Sequence, residues 1–366
     1  MTLYLTESLN FSLSDVGWIM SAFGLGSIVG SWLGGKLSDK LGFHKVMLWS
    51  LIISAFLFIN LQYLKTFEGF CIGVFALMSV ADAYRPASYV ALRAYSKPEN
   101  LTRSLSLIRL AINLGFSMGP ALGGWIIVMG GYDSLFWIDA ITCLGAAVIF
   151  YMMLDDRAAR EAKEEQDELE NPRSPYKDGP YWMFLVAVFL TGFAFLQYFS
   201  TVPLYYADAH GLSEDAIGWL MAMNGGLIFI LEMPMIKWLE NPRFSIYRVL
   251  IIGTILFAAS FFVMNLSSWV GVLWIGMLLM TVGEILDFPF LNRFSMDRSK
   301  GGKSGEYMAL FAMSFSLAHI VAHNSGMQLV ANIGYEATWY IMTGALLLAA
   351  VIIAILRGMV EKEDGQ

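Results

Sequence analysis

The chain has 366 residues, of which 57% are hydrophobic and 14% charged, and its mean hydropathy is +0.60. A soluble domain of this length needs more charge to cover its surface, so the composition excludes that class and indicates a membrane protein. The net charge of -7 lies mostly between the apolar runs and says little about partners; we expect no nucleic-acid partner.

Eleven apolar runs follow one another along the chain, and runs of about 18 or more residues are typical of membrane spans. In hydrocarbon every backbone amide must be paired internally, so these runs are predicted to be helices. The predicted spans are 16–33, 46–64, 70–92, 104–128, 135–154, 181–203, 216–237, 249–266, 270–291, 306–330 and 337–357. The predicted fold class is an all-α polytopic membrane protein.

The lysines and arginines predict the orientation of these spans. Twenty of the 23 lie in one set of connecting segments, Lys65 alone lies in the other set, and Arg85 and Arg109 lie inside spans. Positive residues concentrate on the cytoplasmic side of a membrane, so we expect a cytoplasmic C-terminus and an external N-terminus. We also expect a plasma-membrane protein, and a monomer.

The two halves of the chain repeat each other. Tyr4 and Trp18 match Tyr205 and Trp219 at an offset of 201 residues, and Asp39 matches Glu240 at the same offset. Gly131-Tyr132-Asp133 matches Gly334-Tyr335-Glu336 at an offset of 203 residues. This repeat predicts two pseudo-symmetric helical bundles. We assign 1–154 to the first bundle (five spans), 155–180 to a charged linker, 181–358 to the second bundle (six spans) and 359–366 to a cytoplasmic tail.

The repeat leaves the span at 181–203 without a counterpart in the first half. Two equal halves would give twelve spans, and the chain has eleven. We therefore expect that one leading helix is missing, through a misplaced start, a shortened expression product or a real deletion. The alternative is a protein that has eleven spans by nature.

The segment Gly35-Lys36-Leu37-Ser38-Asp39-Lys40-Leu41-Gly42-Phe43-His44-Lys45 follows the first span. It resembles motif A of the major facilitator superfamily, which connects the second and third helices of that fold. The residues that fit the pattern are Gly35, Asp39, Lys40, Gly42 and Lys45, while His44 stands where a permanent base is usual. The resemblance covers nearly the whole chain and implies a gating turn. Asp39 could accept hydrogen bonds from a neighbouring helix N-terminus; a turn that only sets topology is the alternative.

A second pattern lies in the span at 104–128. Its residues are Gly115, Gly119, Pro120, Gly123 and Gly124, and they resemble motif C of the drug/proton antiporter branch. Small residues four apart also permit ordinary close packing of helices, which is the alternative interpretation.

Charged residues inside spans are candidates for proton or substrate binding, because an ionisable group in hydrocarbon is costly. Asp82 and Arg85 lie three apart in the span at 70–92, and Arg109 lies in the next span. Asp82 could pair with Arg85 or Arg109, either as a permanent packing contact or as part of the mechanism.

Glu284 and Asp287 lie three apart in the span at 270–291, and we expect both to face the central cavity. We favour Glu284 for proton coupling. Glu232 ranks lower, because its place near a helix end could let it reach water. His319 and His323 lie four apart in the span at 306–330, a spacing that could bind metal; without acidic or cysteine ligands we favour cavity lining or proton relay, and expect no metal site.

The resemblance implies a secondary transporter that works by alternating access, and the motifs imply proton-coupled export of small amphipathic compounds. A proton-coupled importer of peptides or other small solutes is the first alternative. A membrane-embedded binding or sensor protein that transports nothing is the second. No nucleotide loop or catalytic triad occurs in the sequence, so we expect no enzyme activity and no cofactor, with the proton gradient as the energy source and the lipid bilayer and a small-molecule substrate as partners.

Overall fold

The computed structural model describes residues 4–5, 9–154, 157, 160–161, 164, 172–241 and 243–364, which are almost entirely helical. The helices are α1 (Leu13–Leu41), α2 (Phe43–Leu61), α3 (Phe67–Ala81), α4 (Tyr84–Tyr95), α5 (Leu101–Gly130), α6 (Asp133–Met153), α7 (Gly179–Gln197), α8 (Thr201–Asp208), α9 (Glu214–Leu239), α10 (Ile246–Met264), α11 (Gly271–Arg298) and α12 (Ser304–Asp364).

Ten segments of the described chain are helices long and apolar enough to cross a membrane. They coincide with ten of the predicted spans. In this correspondence α3 and α4 together form one span, α7 and α8 together form another, and α12 contains two. The eleventh predicted span, 104–128, lies within α5, which is a helix of 30 residues. The predicted all-α membrane fold is confirmed.

Two spans are interrupted along their length, and a glycine separates two others. Asp82 caps the end of α3, and α4 resumes at Tyr84. Likewise α7 ends at Gln197 and α8 starts at Thr201. Within α12, Gly334 has φ 80° and separates the two predicted spans at 306–330 and 337–357.

The chain forms two compact units, and the first contains residues 1–97, 111–175 and 299–316. In this unit α1 packs along α3 and α4, and α2 packs against α6. The close approach of α1 depends on Gly30, where an added Cβ would lie 2.6 Å from the carbonyl oxygen of Ser79. Tyr4, Phe70 and Phe136 form part of its buried aromatic core.

The second unit contains residues 98–110, 176–298 and 317–366. Here α10 packs along α11, where an added Cβ at Gly283 would lie 2.8 Å from the carbonyl oxygen of Gly253. The core around them contains Tyr198, Phe261 and Trp339, all fully buried. The Tyr198 hydroxyl stays paired in this apolar setting because it donates to Ser260 at 2.8 Å.

The repeat seen in the sequence is also a repeat of contacts. In the first unit Tyr132 packs against Tyr4, with ring centroids 5.7 Å apart. In the second unit Tyr335 packs against Tyr205, at 5.2 Å. The glycine before each of the two later tyrosines has a positive φ, 73° at Gly131 and 80° at Gly334. Equivalent residues thus make equivalent contacts in the two bundles, which supports their pseudo-symmetry.

Candidate functional site

Three charged residues from distant parts of the sequence meet inside the second unit. Arg109 of α5 places one guanidinium nitrogen 2.5 Å from Oε1 of Glu284 on α11. Its other terminal nitrogen lies 3.2 Å from the Glu284 carbonyl oxygen and 3.5 Å from Oε1 of Glu232 on α9. The cluster therefore joins three membrane-spanning helices.

The cluster is shielded from solvent. The side chain of Arg109 is 16% exposed, and the side chains of Glu284 and Glu232 are 6% and 3% exposed. One positive and two negative charges leave a net charge of -1, which is costly in such surroundings. Uptake of a single proton by either carboxylate would make the cluster neutral.

Asn224 and Phe288 complete the surroundings of the cluster, and the sequence analysis missed both. The amide of Asn224, on α9, donates to Oε2 of Glu284 and to the Thr281 hydroxyl, each at 3.0 Å. The guanidinium carbon of Arg109 lies 5.0 Å from the centre of the Phe288 ring. Asn224 lies eight residues, about two helical turns, before Glu232 on α9, so the two residues lie near the same face of that helix. This spacing was the one sequence signal that could have indicated Asn224.

The structure corrects two expectations about the carboxylates. Glu232 does not reach water, because the residue is 2% exposed and sits beside Arg109. Asp287 does not share a site with Glu284. Instead Asp287 points at α10, where its Oδ1 accepts a hydrogen bond from Thr254 at 3.2 Å and would lie 2.6 Å from a Cβ added at Gly253.

Of its two predicted partners, Asp82 is paired with Arg85. The distance from Oδ1 of Asp82 to the Arg85 guanidinium is 3.3 Å, and the pair lies within one helical span of the first unit. The Arg85 side chain is 46% exposed, so the protein encloses this contact far less than the one at Arg109.

The turn between α1 and α2 holds the start of α12 within the first unit. The two carboxylate oxygens of Asp39 accept hydrogen bonds from the backbone amides of Gly305 and Glu306, at 2.7 and 2.9 Å. These amides belong to the first turn of α12, whose N–H groups lack partners within the helix. Gly42, with φ 84°, reverses the chain directly after α1. Lys40 and Lys45 are exposed.

At the equivalent place in the second unit lies a contact between two side chains, which the sequence analysis did not find. Glu240, at the end of α9, accepts from Arg103 on α5 at 2.5 Å. Glu240 matches Asp39 at the repeat offset of 201, and Arg103 matches Glu306 at the offset of 203. The repeat was the available sequence signal for this contact. It places an acid, Glu240, at the position equivalent to Asp39, and a base, Arg103, at the position equivalent to Glu306.

The glycines of the motif C-like helix do not form a tight contact with the described part of the chain. A Cβ added at Gly115 or Gly119 would meet no described atom within 4 Å, and one at Gly123 would lie 3.9 Å from Leu135. The side chain of Pro120 and the surroundings of Gly124 lie outside what the structure describes.

The predicted pair of His319 and His323 lies partly outside the described residues, which do not include the side chain of His323. His319 is exposed on α12 and takes part in an interaction. Within the described chain, no three His, Cys, Asp or Glu side chains lie close enough together to hold a metal ion.

Comparisons with known proteins point to one family. A family model described as Major Facilitator Superfamily matches residues 1–323 and 206–366. The MFS-type transporter YttB of Bacillus subtilis is 23% identical over 96% of this chain and 88% of its own length. The Na(+), Li(+), K(+)/H(+) antiporter of Planococcus maritimus is 19% identical over 96% and 89%. The multidrug resistance protein MdtH of Edwardsiella ictaluri is 22% identical over 86% and 79%.

A solved structure shows the same fold. The proton:xylose symporter XylE superimposes with a TM-score of 0.72 at 16% identity, over 96% of this chain and 89% of that one.

Proposed function

Because this chain belongs to the Major Facilitator Superfamily, and is therefore a multi-pass membrane transporter of a small-molecule substrate and not an enzyme, we propose that it is a proton-coupled exporter of small amphipathic compounds. It works by alternating access in the plasma membrane, with its C-terminus in the cytoplasm and the proton gradient as its energy source.

The observation that carries this proposal is the cluster of Arg109 with Glu284 and Glu232. In the ionised cluster the guanidinium binds the Glu284 carboxylate tightly and the Glu232 carboxylate loosely. A proton on Glu284 would remove the charge that holds Arg109 at 2.5 Å, so protonation and the position of α5 relative to α11 are coupled. Ion pairs that exchange a proton for a guanidinium are a direct way to link proton movement to helix movement.

The contact at Asp39 supplies the second part of an alternating-access cycle. It connects the end of α1 with the start of α12, which come from the two halves of the sequence. Access from the side of this turn requires Asp39 to release the amides of Gly305 and Glu306. The pair Arg103–Glu240 must separate at the equivalent place in the second unit.

Export is favoured over import by the motif C-like glycines and by the names of two relatives, one an antiporter and one a multidrug resistance protein. An importer would use the same cluster with the opposite order of binding. The direction of movement is therefore decided by the transport assay below.

The decisive experiment uses the full chain in everted vesicles energised by respiration. Ethidium and a panel of amphipathic dyes are added, and proton movement is followed with a pH-sensitive fluorophore. We expect substrate-dependent proton release in the wild type and its loss in Glu284→Gln. Glu232→Gln is expected to weaken coupling in the same direction.

Asp139→Asn is the matched control. Asp139 also carries a carboxylate in a membrane-spanning helix, but this residue is exposed and lies outside the cluster of Arg109, Glu284 and Glu232. This variant should couple protons as the wild type does. Unchanged coupling in Glu284→Gln would refute the proposal. Specific binding of panel compounds without any flux would favour the non-transporting alternative.

A further inference from the structure

The guanidinium of Arg109 is enclosed by two carboxylates, a carbonyl oxygen and a ring face, groups of the kinds that bind organic cations in proteins. Two carboxylates, those of Glu284 and Glu232, lie at 2.5 and 3.5 Å, and the Glu284 carbonyl oxygen lies at 3.2 Å. The Phe288 ring faces the same group at 5.0 Å. Charge-assisted hydrogen bonds and a ring face are the two recurring ways in which proteins bind guanidinium and ammonium groups.

The enclosing groups and the enclosed cation belong to different helices. Glu232 lies on α9, and Glu284 and Phe288 lie on α11, whereas Arg109 reaches the site from α5. The set of Glu232, Glu284 and Phe288, called the cation cage below, therefore stays assembled on α9 and α11 if Arg109 moves away. Asn224 holds the Glu284 carboxylate from the far side at 3.0 Å.

Arg109 does not satisfy the cation cage completely. Glu232 is 2% exposed, its closest approach to Arg109 is 3.5 Å, and its Oε2 accepts no hydrogen bond from a described residue. Ser106 lies beside this carboxyl, but its hydroxyl donates to the Thr102 carbonyl at 3.0 Å. A buried carboxylate oxygen without a donor is unfavourable, and a ligand with additional N–H groups would supply one.

We infer that the cation cage binds the positively charged head of the substrate, an organic guanidinium or ammonium group, and that Arg109 occupies the cage when no substrate is bound. This rests on the proposed transport function and names the substrate class for it. Arg109 is a tethered cation that leaves when the substrate cation enters, so the two carboxylates are never left together without a positive partner. The neutral or hydrophobic remainder of the substrate would lie outside the cage.

The test measures binding to the purified full chain in lipid nanodiscs, at constant pH and without a gradient. The probe is phenylguanidinium, and phenylurea is the control because it has nearly the same shape and no charge. In Arg109→Ala we expect phenylguanidinium to bind at least tenfold more tightly than in the wild type, and at least tenfold more tightly than phenylurea does. Adding Glu284→Gln to Arg109→Ala should abolish this preference, and adding Phe288→Leu should weaken it.

Removal of Arg109 leaves two buried carboxylates unpaired and could prevent folding. Arg109→Lys keeps a smaller cation in place and is the test variant if Arg109→Ala yields no folded protein. In that case phenylguanidinium should raise the melting temperature of Arg109→Lys, and phenylurea should not. Equal binding of the two probes, or binding of neither, in the folded variants would overturn the inference and leave Arg109 as a permanent ion pair.

Failure of this inference can be told apart from failure of the proposed function. Loss of proton coupling in Glu284→Gln combined with no charge preference in Arg109→Ala would refute the cation cage only. A clear charge preference combined with unchanged proton coupling would refute proton coupling and keep the cage.

Discussion

Glu284 and Asp287 lie three residues apart on α11, and yet their side chains have different neighbours. Three residues in a helix correspond to a rotation of about 300°, so the two carboxylates point in directions about 60° apart. Glu284 meets Arg109 and Asn224, whereas Asp287 is fully buried against Thr254 on α10. At the residue scale, a small angular difference thus separates a charged cluster from a helix-packing contact.

Gly30 illustrates the same sensitivity for packing. Replacement by alanine would place a methyl group 2.6 Å from the Ser79 carbonyl oxygen and 2.7 Å from that of Met78, so α1 and α3 must move apart. Overpacking of this kind costs about 1–3 kcal/mol. We expect Gly30→Ala to lower the melting temperature of the purified protein by several degrees, as measured by tryptophan fluorescence in detergent. Gly115→Ala, at a site with no described atom within 4 Å, should leave it unchanged; equal losses in both variants would contradict this account.

At the scale of elements, the turn between α1 and α2 and the first turn of α12 act together. Asp39 provides an acceptor for two amides that no residue of α12 can satisfy. The spacing of the turn predicted an acid with this capacity, but its partner lies 266 residues later in the chain. The turn is recognisable from local sequence, and the helix that it holds is not.

Removal of the Asp39 carboxylate should loosen the start of α12. A lost helix cap costs about 0.5–2 kcal/mol, which corresponds to a roughly 2- to 30-fold faster exchange of the capped amides. Hydrogen–deuterium exchange with mass spectrometry should therefore show faster uptake in the peptide that contains Gly305 and Glu306 in Asp39→Ala. Lys40→Ala, which changes the exposed neighbour, serves as the control and should exchange like the wild type. Unaltered uptake in Asp39→Ala would exclude the capping role.

At the scale of the whole molecule, the distribution of positive residues predicts how the chain lies in the membrane. Lys65 follows α2, while Lys300 precedes α12 in a segment that has several other positive residues. In a variant in which Cys71 and Cys143 are replaced by serine, a cysteine at position 65 should react with an impermeant maleimide added to intact cells. A cysteine at position 300 should react only after permeabilisation. The reverse pattern would invert the orientation and, with it, the side on which Asp39 acts.

The membrane class, the positions of the spans, the repeat and the helices that carry buried charge could all be predicted from the amino-acid sequence. These depend on hydropathy, charge and local spacing, which are properties of short segments. It also singled out Asp39, Arg109 and Glu284 individually. Only the tertiary structure decided that Arg109 pairs with Glu284 and Glu232, that Arg85 pairs with Asp82, and that Asp287 faces α10. Helical periodicity shows which residues share a face, while the helix opposite that face is selected by packing between segments that can lie far apart in the chain, 123 and 175 residues for the two carboxylates of Arg109.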